Sequence, residues 1–221
     1  MNTIKFQRSI TDYSHILAFD IAKHKTGWAL LDIETKTISA CGMIAARSGF
    51  EWEDLYEQSS SVFDFVRREF GSCFFVIKER LPNQAGRFST IAALQGLAGA
   101  HSVFDLVCSH KGVDVYDADG IHSITVKAYF KSITGLEKPE KKDIANAVFD
   151  IVRYDGVVAK DEYDITDAAA CAITLLAKKW NSDIVDQIKH LKSEQRKYKL
   201  EKKRLEVQNE IDRISGLKID Q

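Results

Sequence analysis

The stretch His15 to Asp32, HILAFDIAKHKTGWALLD, decides the fold. His15 to Asp20 is a short apolar run that ends in a carboxylate, and a polar turn, KHKTG, separates it from a second apolar run at Trp28 to Leu31. Two short strands joined by a tight turn is what such a pattern predicts. An acid at the end of a mostly apolar strand is carried to the edge of the sheet, where chemistry is accessible.

Working outward, the turn signal DIETK leads into a third β-like segment, Thr37 to Met43, which completes a three-stranded meander. Next, Leu55, Val62, Phe63, Val66 and Phe70 recur at helical spacing through EWEDLYEQSSSVFDFVRREFG, and Gly71 supplies a stop. Cys73 to Ile77, CFFVI, is a continuous apolar run suited to a strand buried on both faces, and Lys78-Glu79-Arg80 follows it. The uncharged, Ala- and Gly-rich stretch Phe88 to Phe104 reads as a buried helix. Val113 to Tyr116 reads as a further buried strand, with helical patterns after it in Ser123 to Phe130 and Lys142 to Val152. Ile165 to Trp180, ITDAAACAITLLAKKW, is the clearest helix, and its small side chains imply close packing on a sheet.

Composition limits the class of protein. The 221 residues are 45% apolar and 29% charged, with two prolines and 12 glycines, so disordered, collagen-like and low-complexity classes are excluded. Four cysteines stand more than 30 residues apart without a C-x-x-C pair, which argues against a zinc site or a disulfide scaffold and for reduced thiols in a cytoplasmic setting, a host's cytoplasm if the source is viral. MNTIKFQRSITDYSH lacks the apolar core of a secretory signal, and no stretch reaches 18 strongly apolar residues, so no membrane association is expected. The net charge of −1 conceals an asymmetry. Lys189 to Arg204 holds eight Lys/Arg against two Glu, a local +6, in a charged, proline-free segment expected to form one long exposed helix. The expected organisation is a core domain over 1–181 and a charged helical tail over 182–221.

Three carboxylate positions recur at element ends: Asp20, Glu79, and the pair Asp164 and Asp167. Residues at i and i+3 share a helix face, so Asp164 and Asp167 can point at the place where strand ends converge. Four such acids do not stay ionised together without a cation, and hard oxygen ligands select Mg²⁺, with Mn²⁺ as a substitute. A pair of such ions suits in-line phosphodiester hydrolysis. Taken singly, each acid has a plainer reading. Asp164 and Asp167 suit an N-cap and its first-turn acid, Asp20 suits an Asx turn, and Glu79 suits a solvated loop.

The ordered set resembles the RuvC-type Holliday-junction resolvases. ILAFDIAKHKTGWALLD is similar to that family's opening hairpin, with Asp20, Thr26 and Gly27 matching and Ala22 standing where the family usually has glycine. FFVIKERLPN resembles the strand ending in the second acid, Glu79, and LQGLAGA the helix after it. VDVYDADGIHSITVKAYF resembles the strand and helix bearing a lysine, here Lys127. EKKDIANAV resembles the next lysine and helix, with Lys141 the better match and Lys142 the neighbour. DEYDITDAAACAITLL resembles the closing D-x-x-D-A helix, which holds Asp164 and Asp167. The resemblance spans residues 14 to 180.

It implies a ribonuclease H-like mixed five-stranded sheet flanked by helices, with the long C-terminal helix as an addition. The implied activity is that of a crossover junction endodeoxyribonuclease, acting as a homodimer in DNA recombination and repair. Such an enzyme makes Mg²⁺-dependent paired nicks in four-way or branched DNA. Asp20, Glu79, Asp164 and Asp167 become metal ligands, while Lys127 and Lys141 act on the scissile phosphate. Lys142 becomes a DNA contact. Apart from the resemblance, Arg87 and Phe88 stand on the glycine-preceded tip of the loop Arg80 to Ser89, and with that loop facing DNA they are DNA contacts, Phe88 as a wedge at the branch point; the plainer reading of Phe88 is a core residue. His24 is a surface residue. The alternative in a different class is a catalytically idle, nuclease-like DNA-binding or assembly module. The sugar-kinase group shares an early D-x-G-x-x-x-T hairpin but needs glycine-rich phosphate loops that the second half of the chain lacks.

Overall fold

A computed structural model of the chain describes residues 12–81, 90–116, 120–154, 163–179 and 201–215. The meander forms as the alternation predicts: β1 (His15–Asp20), β2 (Lys25–Asp32) and β3 (Thr37–Ala45). They are followed by α1 (Glu51–Phe70) and β4 (Phe74–Lys78). β1 pairs antiparallel with β2, setting Asp20 opposite Gly27, and parallel with β4, setting Phe19 opposite Lys78. The sheet order is β4-β1-β2-β3-β5, in which β5 is only the two residues Arg153–Tyr154, parallel to β3. Four full strands therefore carry the sheet.

The strand expected at 113–116 is reduced to single parallel bridges on the free edge of β4, Val76 with Val115 and Glu79 with Ile121. Gly120 explains part of this. Its φ of +83° is a left-handed conformation that an extended pairing strand does not use, and its Cα lies so close to the Lys78 carbonyl that a Cβ would sit 2.5 Å from it.

Period-2 alternation assigns the two faces. Leu17, Phe19, Trp28, Leu30, Phe74 and Val76 join one core cluster with Leu55, Phe63 and Val66 of α1 and with Phe104 and Val107 of α2 (Ile91–Lys111). The Phe19 ring meets Phe104 at 4.6 Å and Phe63 at 5.7 Å. Lys78 falls on this same face. It is almost fully buried and forms an ion pair with Asp105 of α2, so its charge is compensated. The next residue, Glu79, faces the other way.

α2 departs from its expected burial. Its C-terminal half is seated on the sheet, but Ile91, Ala92, Ala93 and Gln95 are exposed, Ile91 by 75%. Its length and apolar composition pass the test for a membrane span, although Phe104, Val107 and Cys108 are buried against the sheet. An uncharged sequence reports helix hydrophobicity without reporting what covers the helix.

The remaining elements are α3 (Ser123–Thr134), α4 (Lys141–Ile151), α5 over residues 163–179 and α6 (Glu201–Ser215). α4 opens with a reciprocal capping box between Glu140 and Asp143, which fixes Lys141 as its first residue. α5 buries Ile165, Ala168, Ala169, Ala170 and Ala172. Residues 1–174 form one compact unit and residues 175–221 a second, the boundary falling within α5. Within the second unit, α6 carries an Arg213–Glu210 pair and a Gln208–Asp212 hydrogen bond along its own surface. The basic segment Lys189 to Arg204 lies outside the described residues except for the start of α6, where only the backbone is described. None of the four cysteines is in a disulfide.

Candidate active site

Three chain segments bring the predicted acids together. β1 delivers Asp20, the bridge after β4 delivers Glu79, and the first turn of α5 delivers Asp164 and Asp167. Asp20, Asp164 and Asp167 each offer a carboxylate oxygen, and these atoms all lie within 4.8 Å of one another. Glu79 lines the same cavity as Asp20 and Asp167, near enough for its charge to act on the Asp20 carboxyl. Its backbone N–H donates to the Phe19 carbonyl at 3.1 Å, which ties the second acid to the strand bearing the first.

Gly27 determines where α5 sits. A Cβ on Gly27 would lie 2.1 Å from the carbonyl oxygen of Asp164 and 2.6 Å from the backbone nitrogen of Ile165. The first turn of α5 therefore rests directly on the β2 backbone, beside the position opposite Asp20. Glycine here permits close backbone approach. The hairpin itself is closed by Thr26, whose hydroxyl bonds both the N–H and the carbonyl of Ala22. Alanine at position 22 is thus accommodated without loss of the turn.

Asp20, Glu79 and Asp167 open into a cavity of about 520 Å³ lined also by Lys127, Lys141, Ser123 and Cys171. The Lys141 ammonium donates to Asp167 at 2.6 Å. Burial alone would lower the Lys141 pKa, but the Asp167 hydrogen bond and the charges of Asp167, Asp20 and Asp164 outweigh it and hold it above the ordinary lysine value. Asp20 responds in the opposite sense. Burial first, and then the charges of Glu79 and Asp167, push its carboxyl up to about 8, with Lys141 opposing. A carboxyl so disfavoured as an anion marks a functional site more often than a structural one.

The donor set fits a hard divalent cation. It consists of oxygens only, clustered and part-buried, with more negative charge than one lysine offsets.

Of the residues singled out from sequence, Asp20, Glu79, Asp164, Asp167, Lys127 and Lys141 are gathered here. Lys142 is exposed and does not line the cavity, whereas Lys141, also exposed over much of its side chain, reaches the cavity wall to pair with Asp167. Arg87 and Phe88 lie outside the described residues. His24 is exposed near Glu51, in keeping with a surface position. Cys171 was not foreseen as part of the cavity, although its place four residues after Asp167 on one helix face carries the signal. The seat at Gly27 leaves no comparable mark, since an isolated strand glycine reads equally as a bulge.

No protein-family model matches the chain, and no curated protein matches it. Solved structures do. Thermus thermophilus RuvC in complex with a Holliday junction substrate aligns at a TM-score of 0.54 and 13% identity, covering 73% of this chain and 92% of that one. Thermus thermophilus RuvC without that description aligns at 0.53 and 15%, covering 72% and 92%. The yeast mitochondrial Holliday junction resolvase Ydc2 aligns at 0.52 and 12%, covering 76% and 81%. Identity this low speaks to architecture alone, and the architecture is shared over most of each chain: the protein has the fold of the RuvC-type Holliday-junction resolvases.

Proposed function

We propose that the protein is a metal-dependent endonuclease that resolves four-way or otherwise branched DNA by paired phosphodiester hydrolysis. The observation that carries this reading is the clustering of Asp20, Asp164 and Asp167, with Glu79 and the Asp167-paired Lys141 beside Asp20 on the wall of one open cavity, in a fold shared with junction resolvases. Asp20, Asp164, Asp167 and Glu79 would hold Mg²⁺ or Mn²⁺. Bound there, the cation supplies Lewis-acid activation for in-line hydrolysis. The protein's own groups do the positioning. Asp167 anchors the Lys141 ammonium at the cavity, where it stabilises charge developing on the scissile phosphate, and Lys127 offers a second cation from α3.

Paired incision needs two such cavities, one from each of two chains, so the active species of this reading is a homodimer. The exposed apolar start of α2 around Ile91 supplies a surface that a second copy would cover. The widely spaced cysteines, none in a disulfide, support a cytoplasmic place of work, a host's cytoplasm if the source is viral.

The deciding experiment compares matched four-way and linear DNA, with Mg²⁺ and with chelator, and maps cuts on every strand. Symmetric nicks confined to the junction and to Mg²⁺ are expected. Binding of both DNAs without cleavage would instead identify an idle DNA-binding module.

Lys141→Ala should slow the single-turnover rate at saturating enzyme by about 10²-fold or more, in the range of other preorganised charge-stabilising donors, while weakening junction binding far less. Lys142→Ala should leave that rate within about threefold, as expected for a surface residue outside the unit that acts together. Equal effects from the two variants would show that Lys141 contributes only general electrostatic attraction.

A further inference from the structure

One face of α3 is left uncovered by the described residues. Val126 and Phe130 are buried, whereas Ile124, Lys127, Ala128 and Lys131 are exposed, and at 100° per residue these four fall on one stripe. One end of the stripe is in the candidate active site, because Ser123 and Lys127 line the carboxylate cavity. The other end, Lys131, lies one turn further along the helix, away from it. Neither Lys127 nor Lys131 has an ion-pair partner among the described residues. Ile124, at 76%, is more exposed than Phe50, Leu106 or any other large hydrophobic side chain among the described residues.

Residues i and i+4 are separated by about 6 Å along a helix axis, comparable with the step from one phosphate to the next along a DNA backbone. We propose that α3 is a rail for the strand being cut, with Lys127 at the scissile phosphate, Lys131 on the neighbouring phosphate and Ile124 against the sugar and base edge alongside. This rests on the nuclease reading for the placement of the scissile phosphate. Two ammonium groups without an ion-pair partner among the described residues, the first lining the cavity and the second one turn beyond it, favour a polyanion over a second protein copy. An apolar side chain beside such a row matches how DNA-binding surfaces place apolar contacts next to backbone cations.

Lys131 also stands in the last turn of α3, where any cation interacts favourably with the helix terminus. The test must therefore separate a DNA contact from a helix-end effect. Full-length wild type and Lys131→Ala are titrated with four-way DNA across a salt series without Mg²⁺. The titration is repeated on junctions in which single backbone phosphates near the cut site are replaced, one at a time, by uncharged methylphosphonate. Lys131→Ala is expected to weaken binding about three- to tenfold and to flatten the slope of log affinity against log salt by about 1. Lys131→Arg should restore both. One methylphosphonate position adjacent to the cut should weaken wild type by a similar factor and weaken Lys131→Ala no further.

A variant that loses thermal stability but binds like wild type, or one whose penalty is the same for every methylphosphonate position, overturns the rail. If wild type binds junctions yet never cleaves them, the nuclease reading fails while the binding cycle still decides whether Lys131 meets a phosphate. If it binds no DNA, both are rejected.

Discussion

Asp20→Asn should abolish cleavage, by at least about 10³-fold as expected for a member of a catalytic unit, and should at the same time make the metal-free protein more stable at alkaline pH. The two effects have one origin. The Asp20 carboxyl is pushed up to about 8 by burial and by the charges of Glu79 and Asp167, whereas in the unfolded chain it titrates near about 3.9. Folding thus favours the protonated form. Its stabilising contribution is fully present below pH 4 and is lost as pH rises through the folded value, because the native state binds more protons across that window. The whole difference has an upper limit below about 6 kcal/mol, and solvent in the open cavity reduces it. Asparagine keeps the shape and removes the charge, so the variant should show a flatter dependence of melting temperature on pH between 5 and 9 in chelator. Adding Mg²⁺ at pH 8 should raise the wild-type melting temperature and raise that of Asp20→Asn much less, since the ion loses a ligand and the cluster loses the repulsion that the ion relieves. Thermal melts at three pH values, with chelator and with Mg²⁺, measure all of this. Parallel pH profiles for the two proteins, or an undiminished Mg²⁺ response in the variant, would remove Asp20 from the metal set.

The hairpin and the flanking helices were legible because their signals are local. Period-2 alternation through Leu17, Phe19, Trp28 and Leu30 reports a half-buried sheet face directly, and Leu55, Phe63 and Val66 report a helix face in the same way. Asp164 and Asp167 were legible as a pair for the same reason, since three residues along a helix is one face. What joins them to Asp20 and Glu79 is long-range. The Phe19–Glu79 backbone hydrogen bond and the parallel pairing of β1 with β4 depend on a crossover through α1, which no window of sequence displays.

Two misreadings have physical causes of the same kind. Val113 to Tyr116 has strand-like residues and bridges β4 at Val115, but the next bridge, at Ile121, comes six positions later against three along β4, so the two segments do not stay in register as paired strands. The apolar run through α2 was read as buried because hydrophobicity in sequence is a property of the helix, while burial is a property of its neighbours. The ion pair of Lys78 with Asp105 was equally out of sight. It places a buried charge one residue from a metal-ligand candidate, and alternation across the strand keeps the two on opposite faces of the sheet.

Gly27→Ala should be the most damaging single-methyl change in the core domain, and its damage should fall on the site rather than on the backbone. Gly27 lies within a regular antiparallel strand, paired with Asp20, so alanine meets no conformational penalty of its own. The obstacle is steric and made of main chain. The new methyl would lie 2.1 Å from the Asp164 oxygen and 2.2 Å from its carbonyl carbon, and neither can rotate aside as a side chain would. The first turn of α5 must lift away by an ångström or more, and Asp164 and Asp167 move with it, away from Asp20 and Glu79. Overpacking of this kind costs about 1–3 kcal/mol, while a displacement of about 1 Å at a catalytic constellation costs about 10²-fold in rate. A second variant separates the two. Gly112, the C-cap of α2, has φ +57° and nothing near its missing Cβ, so Gly112→Ala should cost about 1 kcal/mol through backbone strain alone. If both variants are destabilised but only Gly27→Ala loses cleavage and needs more Mg²⁺ for half-activation, the seat of α5 on β2 is what assembles the four acids. Cleavage by Gly27→Ala within about threefold of wild type would show that α5 is positioned by other contacts.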